Sequence, residues 1–201
     1  MKIKICGLTN KKEAEYLNAN QVDFAGMVLF FPKSKRSITI EQAKEIMSAL
    51  NKEIQKVAVV VEPSMEQLRE IEQAGFDYIQ IHGKLQEGLL EQVTLPVLKA
   101  FNIKDMDDYE IYHANPQIAG YVFDAQEPGS GKTFDWSLVK NIPRDEKMLF
   151  LAGGLHPGNV REAINYLKPD GVDVSSGVEY EDKLGKDEEK VKLFVEQVKM
   201  V

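Results

Sequence analysis

The sequence has little cysteine, no long apolar run and no surplus of basic residues, and each shortage excludes a class of protein. Cys6 is the only cysteine among 201 residues, so no disulfide can form within the chain and a reducing compartment is expected. The longest apolar runs, such as Val57 to Val61, are far too short to cross a bilayer. The first residues lack the basic segment and the cleavage site of a secretory signal peptide. We therefore expect a cytoplasmic protein without a membrane span.

Acidic residues outnumber basic ones, which limits the partners that the surface can attract. The chain has 25 Lys and Arg against 32 Asp and Glu, and its formal net charge is -7. Nucleic acids and anionic membranes bind net basic surfaces, so neither is an expected partner. A small anionic substrate remains compatible with this charge, because it responds to the field of one site. We expect a small-molecule partner and a monomer or homodimer.

Apolar strand-like runs alternate with helix-like segments along the whole chain, which indicates a parallel sheet. No linker rich in proline, glycine or serine divides residues 1–201, so one domain is expected. Eight such units without a dinucleotide-binding glycine motif favour an α/β fold, a compact (β/α)₈ TIM barrel, over an open doubly wound sheet. The predicted strands are Lys2–Cys6, Phe24–Phe30, Lys56–Val61, Tyr78–Ile81, Val97–Phe101, Ile118–Phe123, Met148–Ala152 and Gly171–Val174. The predicted helices are Lys11–Asn18, Ile40–Leu50, Met65–Ala74, Gly88–Val93, Ile103–His113, Trp136–Val139, Pro157–Leu167 and Asp187–Val198.

The carboxyl ends of parallel barrel strands form one rim, and barrel active sites lie there. Cys6 ends the first strand, and Thr9 shortly after it is predicted to cap the first helix. We interpret Cys6 as a catalytic base, although a free cysteine also packs as a small buried hydrophobe. Asp124 follows the sixth strand, where a carboxylate is costly to bury, so it is either functional or satisfied by nearby backbone N–H groups.

The ends of the last two predicted strands are rich in glycine and serine, which suits anion binding. Gly153 and Gly154 follow strand seven and have no Cβ to obstruct a ligand. Ser175, Ser176 and Gly177 follow strand eight and can present backbone N–H groups as a first helical turn. Because these two loops form the usual phosphate site of barrels, we predict phosphate binding here rather than two ordinary turns.

Three further rim residues have both a structural and a functional interpretation. Arg36 lies in a cationic loop and is either a bidentate carboxylate clamp or part of a solvated surface. His82 is either a core histidine or a substrate contact, and Asp173 at the end of strand eight is a further candidate contact.

The charged segment from Tyr180 to Lys190 is interpreted as a solvated loop.

The stretch from Gly129 to Thr133 has part of a nucleotide-binding P-loop but lacks its first glycine. Gln126 stands at that position and Pro128 follows, and proline cannot offer an N–H group to a phosphate. We therefore do not expect nucleotide hydrolysis, and we interpret this stretch as a flexible loop, or lid, beside Asp124.

Taken together, these motifs make the chain similar to phosphoribosylanthranilate isomerases over essentially its whole length. The resemblance implies a (β/α)₈ barrel that rearranges N-(5-phosphoribosyl)anthranilate to 1-(2-carboxyphenylamino)-1-deoxyribulose 5-phosphate in tryptophan biosynthesis, without metal or cofactor. The stretches that carry it are Lys4–Thr9, Pro32–Arg36, Ile79–Gly83, Gly129–Trp136, Ala152–Val160 and Val172–Glu179.

The resemblance also implies roles for individual residues. Cys6 would be the general base and Asp124 the general acid, and Arg36 would hold the anthranilate carboxylate. The backbones of Gly153–Gly154 and Ser175–Gly177 would bind the phosphate. Such chemistry needs a raised pKa at the carboxyl and a lowered pKa at the thiol. The phosphate-binding N–H groups supply part of the positive surroundings that the thiol needs, and Lys4 and Arg36 are candidates for the rest. Two alternatives stay open: an isomerase of another phosphosugar, and a phosphosugar-binding protein without activity.

Overall fold

The computed structural model describes residues 1–86, 88–102, 109–113, 115–124, 135–140, 142 and 144–201. The predicted strands are all present, with ends that differ by one residue at most. The barrel strands are β1 (Lys2–Cys6), β2 (Phe24–Leu29), β3 (Gln55–Val61), β4 (Tyr78–His82), β5 (Val97–Asn102), β6 (Ile118–Asp124), β7 (Met148–Leu151) and β8 (Gly171–Val174).

The strands pair in parallel with their sequence neighbours, and β1 pairs with both β2 and β8. This last pairing closes the sheet into a barrel, which confirms the predicted (β/α)₈ fold and excludes the open doubly wound sheet. The closing register places Lys4 of β1 opposite Asp173 of β8, and Cys6 opposite Gly26 of β2. Side chains alternate along a strand, so Lys4 and Cys6 lie on the same face of β1.

Helices follow the strands as the pattern predicts, with some ends displaced. Residues 103–108 of the predicted fifth helix fall outside the described residues, and the seventh helix begins three residues later than predicted. The helices are α1 (Lys12–Asn20), α2 (Ile40–Met47), α3 (Met65–Ala74), α4 (Leu89–Gln92), α5 (Tyr109–His113), α6 (Ser137–Lys140), α7 (Val160–Leu167) and α8 (Glu188–Lys199). None of the helices in the described part of the chain is long and apolar enough to cross a membrane.

A short strand that the sequence analysis missed lies beside the end of β2. Ser37–Ile38 pairs in parallel with Val28 and Leu29. Two residues are too few for a periodic signal, so no pattern could indicate this strand. The pairing fixes the loop in which Arg36 lies and holds that loop at the rim of the barrel.

Two apolar layers hold the barrel together. In the larger layer, the outward faces of the strands pack against the helices, and Ile5, Leu17 and Val195 belong to it. The smaller fills the barrel interior, where Phe24 contacts the ring of Phe150 edge-on at a centroid distance of 5.3 Å. The interior is therefore a packed core, and only its upper end is left for a site.

The prediction that Thr9 caps the first helix is wrong. Helix α1 begins after Lys11, whose side chain makes no capping bond. The Thr9 backbone N–H instead donates to the buried carboxylate of Glu13 at 2.6 Å, and the Lys186 backbone N–H donates to the same carboxylate at 2.8 Å. Glu13 thereby ties the loop after β1 to the segment before α8.

We expect Glu13→Ala to destabilise the protein, because it leaves these backbone donors buried without acceptors. The expected loss in the free energy of unfolding is about 3 kcal/mol. The control is Glu15→Ala, in the same first turn but exposed, with an expected change near zero. Chemical denaturation measures both, and equal losses would contradict the role of Glu13.

Candidate functional site

A cavity of about 410 Å³ opens at the carboxyl end of the barrel. Its wall combines apolar residues such as Val28 and Val59 with polar groups from strand ends, as small-molecule sites commonly do. The structure thus brings together nearly the whole predicted set. The predicted site residues that line it are Cys6, Arg36, His82, Asp124, Gly153, Gly154, Asp173, Ser175 and Ser176.

Gly177 is the exception, because it is not among the residues that line the cavity. A Cβ atom on Gly177 would lie 1.9 Å from the carbonyl oxygen of Leu155. Glycine is therefore required where the short 3₁₀ helix Ser176–Val178 packs against the loop after β7. This close approach brings the two glycine-rich loops together at one side of the cavity.

The loop after β7 adopts a conformation that favours glycine. Gly153 and Gly154 have φ values of 81° and 66°, in the left-handed region. On the neighbouring loop, the buried Lys186 ammonium contacts the carbonyl oxygen and the hydroxyl of Ser175, both at 3.2 Å. Together the two loops offer backbone N–H groups and a nearby positive charge, a combination suited to an anion.

Cys6 lies above a fully buried ion pair. The Lys4 ammonium contacts Asp173 Oδ2 at 2.9 Å, and Lys4 has no solvent exposure. Burial raises the pKa of the Cys6 thiol, an effect that the positive charge of Lys4 opposes. The expectation of a lowered thiol pKa is therefore not met by the residues around Cys6, because burial outweighs the effect of Lys4.

His82 lies in the cavity wall, and its imidazole is neutral. Burial, and then the charges of Lys4 and Lys99, lower the pKa of His82 to about 3. Its Nε2 lies 2.8 Å from the amide nitrogen of Gln80, which is almost fully buried. Since a neutral ring nitrogen can accept from this amide, Gln80 orients the imidazole. The other amide atom, Gln80 Oε1, has no hydrogen-bond partner among the described residues.

Arg36 is held at the rim by a carboxylate that the sequence analysis did not assign. Its Nε and Nη2 both donate to Glu179, the latter at 3.0 Å. Lys186 and Lys35 contact the same carboxylate, at 3.0 and 3.1 Å. Since Glu179 occupies one edge of the guanidinium, the edge that carries Nη1 is the one available to a ligand.

The pKa of Glu179 is low because three cations surround this carboxylate. Burial favours its neutral form, but the bonds from Arg36 and Lys186 outweigh this and lower the pKa of Glu179 to about 2. The carboxylate is therefore ionised at neutral pH. It fixes Arg36 and partly neutralises the cations around it.

Sequence reasoning missed three residues of this site, Gln80, Glu179 and Lys186, and named Lys4 only as one candidate influence on the Cys6 thiol. Lys4 and Gln80 carry a usable signal, since each is a polar residue inside an otherwise apolar strand at an inward position. Lys186 carries none, and the interpretation of its segment as a solvated loop is wrong at this residue, which is 1% exposed. The segment from Gly129 to Thr133, predicted as a lid, lies outside the described residues.

Comparison with known proteins gives one consistent family. A model of the N-(5'-phosphoribosyl)anthranilate isomerase family matches residues 3–197. The isomerase of that name from Streptococcus gordonii is 40% identical over 199 residues, covering 98% of this chain and 97% of the relative. The crystal structure of a phosphoribosylanthranilate isomerase from Thermotoga maritima has a TM-score of 0.87 and 34% identity, with full coverage of both chains. A second solved structure, of a phosphoribosylanthranilate isomerase in complex with reduced 1-(o-carboxyphenylamino)-1-deoxyribulose 5-phosphate, has a TM-score of 0.83 and 33% identity, again with full coverage.

We expect Glu179→Gln to change how stability depends on pH. A carboxyl with a lowered pKa stabilises the fold above its unfolded pKa, near 4.3, and this contribution is lost as the pH falls through the folded pKa of about 2. The wild-type advantage over Glu179→Gln should thus be complete at pH 6 and shrink between pH 5 and pH 2. Urea denaturation across this range measures it, with the exposed Glu181→Gln as the control. An advantage that does not vary with pH would contradict the assignment.

Proposed function

The chain belongs to the N-(5'-phosphoribosyl)anthranilate isomerase family, and we propose that Cys6 and Asp124 catalyse its reaction as general base and general acid. The reaction is an Amadori rearrangement that yields 1-(o-carboxyphenylamino)-1-deoxyribulose 5-phosphate in tryptophan biosynthesis. One observation carries the proposal: a thiol, a carboxyl, a guanidinium and two glycine-rich loops line a single cavity. These are the groups that an aminosugar phosphate with an aromatic carboxylate requires.

The substrate would lie across the mouth of the barrel. The backbone N–H groups around Gly153–Gly154 and Ser175–Ser176 suit its phosphate, because such groups bind anions without a flexible side chain. The Nη1 edge of Arg36 suits the anthranilate carboxylate, because guanidinium and carboxylate form paired hydrogen bonds. Binding at both ends would hold the ribose over Cys6 and Asp124.

Acid catalysis would come first. Asp124, protonated, would donate to the ring oxygen, the C1–O bond would break, and the electron pair of the amine nitrogen would form an iminium. The open chain then carries the new hydroxyl group, and Asp124 is left as a carboxylate. Asp124 is partly buried at the end of β6 and lines the cavity, so it can reach a bound ring.

Base catalysis would follow at C2. The Cys6 thiolate would take the C2 proton, and the electron pair of the C–H bond would neutralise the iminium to give an enolamine. Loss of the proton from the C2 hydroxyl and protonation at C1 would then give the ketone. The substrate gains two protons and loses two, so the net reaction is an isomerisation. Proton exchange with solvent returns Cys6 and Asp124 to their starting forms.

We expect Cys6→Ala and Asp124→Asn each to lower kcat by about 10²–10⁴, because a general base or acid contributes that much. Both variants should still bind the reduced product analogue. The loss of phosphoribosylanthranilate fluorescence measures turnover, and titration calorimetry measures binding. Turnover at the wild-type rate in either variant would refute its role. Loss of C2 proton exchange in both, with analogue binding kept, would exclude a protein that only binds phosphosugars.

We expect Arg36→Ala to raise KM by about tenfold or more and to change kcat little, because its bond to the anthranilate carboxylate acts equally in the ground and transition states. The control is Arg161→Ala, which removes an exposed arginine from α7. Steady-state kinetics separate the two parameters. A large fall in kcat at unchanged KM would contradict a binding role for Arg36.

A further inference from the structure

We propose that Lys4 is a positioning residue for the reaction, whose buried ammonium promotes ionisation of Cys6 while Asp173 limits this effect. The inference rests on the proposed role of Cys6 as the base. It assigns a function to a buried ion pair at the cavity floor that folding alone explains poorly.

The backbone places the ammonium beside the thiol. Lys4 and Cys6 lie two positions apart on β1, so both side chains point into the barrel. On the adjacent β2, Gly26 has no side chain to separate them. A Cβ built on Gly26 would lie 3.0 Å from Cys6 Sγ and 3.1 Å from Lys4 Nζ, so both atoms border the same small space.

Stability alone is a weak reason for this ion pair. The interior around it is filled by apolar side chains such as Val57, Leu98 and Val122. A buried ion pair loses its hydration, and apolar residues of similar volume often stabilise a fold equally well or better. Asp173 Oδ1 has no hydrogen-bond partner among the described residues, so the pair is also incompletely satisfied. The free-energy cost of burying this ion pair is better explained by its effect on the ionisation of the neighbouring Cys6 thiol.

The charges that face Cys6 have opposite effects. Lys4 on the same strand and Lys186 before α8 lower the pKa of Cys6, whereas Asp173 on β8 raises it. The facing residue on β2, Gly26, contributes no charge. Lys4 itself stays protonated, because Asp173 and Cys6 more than offset the effect of burial and raise its pKa. Removing the charge of Lys4 should therefore raise the pKa of Cys6, and removing the charge of Asp173 should lower it.

The single cysteine makes this testable without turnover. Iodoacetamide reacts with thiolates, so the pH dependence of Cys6 alkylation, followed by intact mass, reports its ionisation with no other thiol in the chain. At pH 8 we expect Lys4→Met to be alkylated about tenfold more slowly than wild type and Asp173→Asn several-fold faster, since a neighbouring charge shifts a pKa by about one unit or more. The control is Lys2→Met, the same substitution at an exposed position of β1, which should match wild type.

A double variant guards against misfolding. Lys4→Met leaves a buried carboxyl without its partner, whereas Lys4→Met/Asp173→Asn removes both charges together and should fold. Its alkylation profile should lie between those of wild type and Lys4→Met. Circular dichroism confirms the fold of each variant. Superimposable profiles for wild type, Asp173→Asn and the double variant would overturn the proposal.

Activity separates this inference from the proposed function. In folded Lys4→Met, the limb of the kcat/KM–pH profile that reports ionisation of Cys6 should move to higher pH by the same amount as the alkylation profile, because both report the free enzyme. If Cys6→Ala retains turnover, the role of Cys6 as base fails, whatever Lys4 does to its ionisation. If Cys6→Ala is inactive but Lys4→Met leaves both profiles unchanged, only the role of Lys4 fails.

Discussion

The pairing of β1 with both β2 and β8 is the constraint on which the site depends. It closes the barrel and sets Lys4 opposite Asp173 in the interior. Because side chains alternate along each strand, the same register directs Cys6 inward, two residues nearer the rim. A shift of one residue in β1 would turn both side chains outward and place apolar residues at the rim. The same strand pairing thus closes the barrel and positions the thiol.

The strands and the rim could be predicted because their signals are local and repeated. Each barrel strand is a short apolar run, and the parallel arrangement places the carboxyl ends of all strands at one rim. The position of Cys6 or Asp124 at the end of a run therefore fixes its place in space. The glycines after β7 were predictable for a similar reason, because their left-handed conformation is one that few other residues adopt.

Contacts between distant segments could not be predicted in this way. Glu179 binds Arg36 from 143 positions further along the chain, and Lys186 reaches the same carboxylate from a segment rich in charge. A charged run normally indicates solvent, and only the packing of that segment shows that Lys186 is buried. The predicted cap of α1 was wrong for the same reason, since the carboxylate of Glu13 accepts hydrogen bonds from the backbone N–H groups of both Thr9 and Lys186. Local sequence cannot show which of several possible acceptors wins such a competition.

The cluster of cations around Glu179 has a consequence for how a ligand approaches. The chain as a whole carries a net charge of -7 and repels anions at long range. Beside the cavity, Arg36, Lys35 and Lys186 share one carboxylate, so positive charges outnumber the negative charge in this cluster. Field lines converge in a cleft, so this cluster is expected to attract an anionic ligand to the cavity in spite of the net charge of the chain. The rate at which a ligand binds from dilute solution should then depend on the loop that carries Arg36 and on ionic strength, and not on the overall charge.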